Sequence, residues 1–489
     1  MRQKLSLRLF VSCLILCGSA HAKLSLNSLI GDGAVIQRHA AIKIWGEADP
    51  AANVSATFDG KELIANADAS GDWLIEFPAK DAGGPYRITV RSGDDTLIVS
   101  DVMVGDVWVC TGQSNMYFTV NKCIDADAAV AEASNPNLRL FTVKRTAADE
   151  PVKNVQGSWL PCNPYTVGGF SAVGYFFGDA IQRETDIPIG LIMSTVGGTL
   201  ASNWTSREVL ENNPEASSHF ERYEREKAAY PEALAAYKEA VKTNPKAEKP
   251  RGPEKRQPTG YYNGMIAPLF AYPIAGVIWY QGESDSWQHE RYNRFLHDLI
   301  DNWRIGWNEP EMPFLIVQLA GFEGKSGVNE NYPEIREIQR RIAMEANNGL
   351  AVAIDVGEAK DIHPRNKRPV GERLAKVALV QVYGQETPYM GPTPETITLA
   401  NGDVTVRFKT GAGALVDQDG GDLPGFELAD ASGKFFPSEA RLSGDSVIVS
   451  SPRVKQPTAV RYAWTGFPKV DLYNEAGLPA SPFQESITQ

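Results

Sequence analysis

The sequence predicts an α/β protein: a parallel sheet covered by helices on both faces, flanked by an N-terminal and a C-terminal β-sandwich-like domain. Three observations predict it. From 101 to 385, continuous apolar runs alternate with helical stretches, the pattern of strands buried on both faces. Residues 23–100 and 386–489 instead carry short alternating or β-branched runs broken by turn signals. The 43 glycines and 31 prolines supply turns for many short elements, and a hydrophobic fraction of 43% suffices for several cores in 489 residues.

In chain order, residues 1–22 read as a secretory signal peptide. Arg2, Lys4 and Arg8 form its charged region, 9–17 its apolar run, and Ala20-His21-Ala22 its cleavage site. An exported protein, secreted or periplasmic, is expected. The segment carries three basic residues and no acid, so its removal takes the formal charge from −12 to −15. Cys110, Cys123 and Cys162 then remain. Cys110 ends the apolar run Val107-Trp108-Val109-Cys110 and reads as a core thiol. Cys123 and Cys162 are candidates for a disulfide in an oxidising compartment.

Strands are expected at 41–45, 54–58 and 86–90 in the first β domain. In the α/β region they are expected at 107–110, 189–193, 276–280, 314–317 and 351–354, with helices at 171–184, 292–303 and 335–345. Residues 207–258 interrupt the pattern. This charged stretch, with Phe220, Tyr223, Tyr230 and Tyr237 at near-heptad spacing, reads as a helical insertion, either solvated or forming a rim beside the site. The C-terminal domain has expected strands at 404–408, 446–450 and 459–464.

The acidic balance argues against nucleic acid or an anionic membrane as partner. After the signal segment no apolar run approaches 18 residues, so no membrane span is expected. Six histidines, with no HExxH or CxxC, give no reason to expect a metal or other cofactor.

Ligands of open α/β sheets bind at the carboxyl ends of the strands. Four polar loops lie there. In Thr111-Gly112-Gln113-Ser114-Asn115-Met116, Ser114 is placed as a nucleophile; taken alone a serine after a strand is usually a turn residue or helix cap, and Met116 breaks the G-x-S-x-G pattern. In Asp361-Ile362-His363-Pro364, His363 is a candidate base and Asp361 the carboxylate that orients it. In Gln281-Gly282-Glu283, the Gln281 amide can donate to an oxyanion, and Glu283 is a rival to Asp361. Gly197-Gly198 can bare a backbone N–H. Nucleophile, base, acid and oxyanion donors together specify acyl transfer by serine.

On these residues the sequence resembles the sialate O-acetylesterases, a branch of the SGNH (GDSL-type) hydrolases. The matching stretches are Gly112 to Met116, Gly197-Gly198-Thr199, Trp279 to Ser284 and Asp361 to Pro364 with Asn366-Lys367. Tyr262 to Pro268 and the C-terminal Leu472-Tyr473-Asn474 with Pro479 to Phe483 also match. The resemblance implies an SGNH-type three-layer α/β/α domain between β domains and metal-independent removal of O-acetyl groups from sugars. It implies Ser114 as nucleophile, His363 as base, and an oxyanion hole from Ser114, Gly198 or Gly197, and Gln281. SGNH hydrolases place the acid three residues before the histidine. Asp361 is two before, so Glu283, and more remotely Glu358, stand beside it. O-acetylated sialic acid is the first expected substrate and an acetylated neutral polysaccharide such as xylan the alternative. A non-catalytic glycan-binding protein and a longer-chain esterase are further readings. Gln113, Asn115, Arg365 and Lys367 are the candidate substrate contacts, the two cations answering a sugar carboxylate.

Overall fold

In a computed structural model, the described residues are 23–324, 331–421 and 423–487; the expected signal peptide lies outside them. The central sheet is built from seven strands. These are β1 (Asp95–Gly112), β2 (Asn135–Thr142), β3 (Trp159–Cys162), β4 (Ile189–Thr195), β5 (Gly276–Tyr280), β6 (Phe314–Val317) and β7 (Asn348–Ala351). Their order is β3-β2-β4-β1-β5-β6-β7, and every neighbouring pair is parallel except the edge pair β3–β2.

Helices cover both faces, which is why these strands are apolar throughout. Trp108 of β1 packs edge-on against Phe177 of α2 (Ala172–Thr185), and α2 in turn meets Gly371 of α6 (Arg368–Gln381). On the other face, Trp279 of β5 and Phe314 of β6 pack against Trp303 of α4 (His289–Trp307). The three-layer α/β arrangement expected from the sequence is therefore present.

The N-terminal β region is not set apart from this sheet. β1 is 18 residues long, and its first half pairs antiparallel with Gly83–Ser92. Val35–Gln37 pairs in parallel with Met103–Gly105 of the same strand. The expected boundary at 100 falls inside β1, and one hydrophobic core runs from Ile44 and Trp73 to Val109 and Trp279. The C-terminal sheets enclose a second core around Val406, Phe426, Val447, Tyr462 and Phe483. Arg336 of α5 (Tyr332–Ala343) ties this part to the rest. Fully buried, its guanidinium donates to the carbonyls of Leu319, Ala320, Thr465 and Gly466.

One expectation changes here. Cys123 and Cys162 are free, buried thiols, as is Cys110; burial pushes the first two up to about 11 and about 12. The insertion holds a 27-residue helix, α3 (Ser217–Thr243), whose first turns dock onto the core. Tyr223 is buried, and buried His219 lies 2.7 Å from Ser202 Oγ through Nδ1.

Candidate active site

The parallel register brings the expected loops to one end of the sheet. Gly112, the last residue of β1, pairs with Thr195 of β4 on one side and Tyr280 of β5 on the other. Its φ is +124°, and a Cβ would stand 2.2 Å from the Tyr280 carbonyl oxygen, so glycine is required for the chain to turn there. Ser114 follows, opening the short helix α1 (Ser114–Tyr117). The Gly197 loop approaches closely: a Cβ on Gly197 would lie 3.3 Å from the Ser114 Cβ. Among the described residues no acceptor takes the N–H of Gly197 or Gly198.

His363 arrives from the loop after β7. Its Nε2 lies 2.8 Å from Ser114 Oγ. Asp361 Oδ1 accepts the His363 backbone N–H at 2.9 Å and stands 3.7 Å from Nδ1. Burial lowers the His363 pKa; Asp361 opposes this, while Lys367 and Lys122 add to it. The imidazole is therefore biased toward its neutral form, the form that accepts a proton.

Glu283 does not reach His363. Its Oε1 accepts from Asn115 Nδ2 at 2.5 Å, and burial raises its pKa. Asn115 Nδ2 also donates to the Ile362 carbonyl at 3.0 Å, and Asn115 Oδ1 accepts from Lys367 Nζ at 2.5 Å. One amide thus links the nucleophile loop, the histidine loop and the loop after β5. Lys367 has no accessible surface; it lies 5.1 Å and 5.2 Å from the ring centroids of Phe118 and Tyr280, and burial pushes its pKa down to about 7.

The expected substrate contacts differ in exposure. Lys367, Asn115 and Gln113 are buried. Gln113 Oε1 accepts from the Ser284 N–H at 3.3 Å, a tie between loops. Of the four, only Arg365 is exposed.

Gln281 is also placed differently from expectation. Its amide Nε2 donates to the Thr199 carbonyl at 3.1 Å and to Asp285 Oδ2 at 2.6 Å. Both N–H groups are committed, so Gln281 braces the Gly197–Gly198 loop and offers no free donor to an oxyanion. Asp285, which also accepts the Ala201 N–H at 3.0 Å, was not singled out in the sequence. Burial raises its pKa to about 6. Its spacing, four residues after Gln281, was the available signal.

A serine bonded to a histidine at the carboxyl end of a parallel sheet, with free backbone N–H groups close by, defines a hydrolase of the serine esterase kind. The comparisons narrow this to a family. Residues 104–380 match the family described as carbohydrate esterase, sialic acid-specific acetylesterase, and the chain belongs to that family. It is 29% identical over 500 residues to the sialate O-acetylesterase of Mus musculus, covering 91% of each chain. It is 29% identical over 510 residues to that of Homo sapiens, covering 94% of this chain and 92% of the other. The crystal structure of a carbohydrate acetylesterase from Xanthomonas citri superposes with a TM-score of 0.82 at 36% identity, covering 94% of this chain and 99% of the other. The protein is a carboxylic ester hydrolase of the carbohydrate-deacetylating type. No helix among the described residues is long and apolar enough to cross a membrane.

Proposed function

We propose that the protein is an exported esterase that removes O-acetyl groups from sialic acids by two-step acyl transfer. The observation that carries the mechanism is the 2.8 Å contact between Ser114 Oγ and His363 Nε2. His363 takes the Ser114 proton as Oγ attacks the acetyl carbonyl. The backbone N–H groups of Ser114, Gly197 and Gly198 receive the oxyanion. The tetrahedral intermediate collapses, His363 protonates the departing sugar oxygen, and acetyl-Ser114 remains. Water, deprotonated by the same histidine, then releases acetate and restores the serine. Asp361 is the acid of the triad in this reading, because it faces Nδ1 while Glu283 is held by Asn115.

The test is acetate release from a panel of O-acetylated sialosides, acetylated xylo-oligosaccharides and butyryl and octanoyl esters, by wild type and Ser114→Ala. Wild type is expected to act on acetylated sialosides, and Ser114→Ala to lose at least about 10³-fold in turnover. Wild-type turnover in Ser114→Ala refutes the mechanism; faster release from xylan fragments refutes the substrate.

A further inference from the structure

The insertion 207–258 has no part in the chemistry above, yet it carries a dense cluster of positive charge in a protein of net charge −12. A cleft of about 700 Å³ lies between α3 and the loop leading into α4, lined by Arg222, Arg225, Arg256 and Arg291 beside Trp287. Two carboxylates, Glu226 and Glu290, share its wall with these four guanidiniums. Glu226 is engaged by Arg222 at 2.8 Å, and Arg291 donates to Ser218 Oγ at 2.8 Å. The guanidinium of half-buried Arg256 donates to no acceptor among the described residues. Burial and the like charges of Arg222 and Arg251 lower its pKa, and Glu226 opposes them.

Arg256 also lines a second cavity, of about 350 Å³, together with Gly198, Tyr230, Arg251 and Lys255. Gly198 belongs to the loop that meets Ser114. Arg256 therefore borders both the arginine cleft and the cavity beside the nucleophile loop. Trp287 is 57% exposed, with the Arg222 guanidinium 5.6 Å from its ring centroid. An exposed indole in a cleft where four guanidiniums outnumber two carboxylates fits a ligand with a flat apolar face and an anionic group.

We propose that this cleft is a subsite for the carboxylate of an acidic sugar, whose ring rests on Trp287 while its O-acetyl group reaches Ser114 past Gly198. The inference rests on the esterase reading of Ser114 and His363 and adds the site that selects the substrate. It adds to Arg365, the exposed cation of the histidine loop, where Lys367 is buried and Arg368 is held by Asp125 at 2.7 Å. The shared chemistry is a sugar carboxylate, from a sialic acid or a hexuronic acid.

The test measures kcat/KM on the methyl glycoside of an O-acetylated sialic acid, on its carboxyl methyl ester, and on an O-acetylated oligogalacturonide. Wild type is expected to favour the free acid over the methyl ester by about tenfold, mostly in KM. That ratio should collapse toward one in Arg256→Gln and in Arg222→Gln, and survive in part in Arg256→Lys. Equal treatment of acid and ester by wild type, or a loss in both Gln variants shared equally by acid and ester, overturns the subsite. Sensitivity confined to the sialoside or to the uronide supports it and identifies the carboxylate. No acetate release from any probe by wild type is instead a failure of the esterase reading.

Discussion

Asp361→Asn tests the weakest contact of the proposed triad. Asn keeps an oxygen for the His363 backbone N–H, so the loop geometry should persist and only the charge is lost. At 3.7 Å from Nδ1, a full carboxylate–imidazolium attraction is about 1 kcal/mol at the dielectric of water and about 4 kcal/mol near ε = 20. The side chains are 39% and 56% exposed, so solvent screening puts the stabilisation at ~1–2 kcal/mol. Because an imidazolium forms in the transition state, this predicts a fall of roughly 5- to 30-fold in plateau kcat/KM. The pH dependence has a definite sign. Asp361 raises the His363 pKa, so its loss lowers that pKa further and moves the acid limb of the profile to lower pH. The assay is acetate release from pH 4.5 to 9, with Glu283→Gln run alongside; that variant should keep the plateau within about fivefold, since Gln still accepts from Asn115. An unmoved limb and intact plateau in Asp361→Asn, with collapse in Glu283→Gln, refutes the assignment.

Asn115→Ala removes bonds to Glu283, Lys367 and Ile362, and should cost ~3–5 kcal/mol in urea unfolding together with at least about tenfold in acetate release. Asp285 has a folded pKa of about 6 against an ordinary 3.8, so its stabilisation is complete below pH 3.8 and is lost as pH rises through about 6. The unfolding free energy of wild type relative to Asp285→Asn should therefore decline across that window, by about 3 kcal/mol. Cys110, Cys123 and Cys162 should react with a thiol reagent only after unfolding, and a reductant should leave Tm unchanged; a shift of several degrees would reveal a disulfide.

The strands and the loops at their carboxyl ends were legible because runs such as 189–193 and 276–280 are apolar without interruption, which only a sheet buried on both faces requires. Ser114 was legible for the same reason, since it follows such a strand; His363 stands farther from its strand, Asn348–Ala351. What lay hidden was the environment of polar side chains. Lys367, flanked by Arg365 and Arg368, reads as a solvated basic loop, because lysine is almost never fully buried without a partner. Its partner Asn115 is 252 residues away, a contact that no local pattern encodes. Gln281 reads as polar and near the chemistry, but Asp285 and the Thr199 carbonyl take both of its donors. The insertion reads as helical from its charge and its near-heptad aromatics, and the sequence does not reveal that Arg256 shares a cavity with Gly198.

The long strand β1 has a consequence for how the enzyme can be divided. Its amino half is paired with Gly83–Ser92 and Val35–Gln37, and its carboxyl end delivers the nucleophile. The region matched by the family begins at residue 104, in the middle of this strand. A fragment starting there would keep β4 and β5 beside Trp108–Gly112 but would lose the amino half of the strand, the partners of Val104 and Gly105, and the residues before 104 that share the one hydrophobic core. The amino-terminal strands thus act as the foundation of the catalytic sheet, and the smallest unit that can be expected to work includes them.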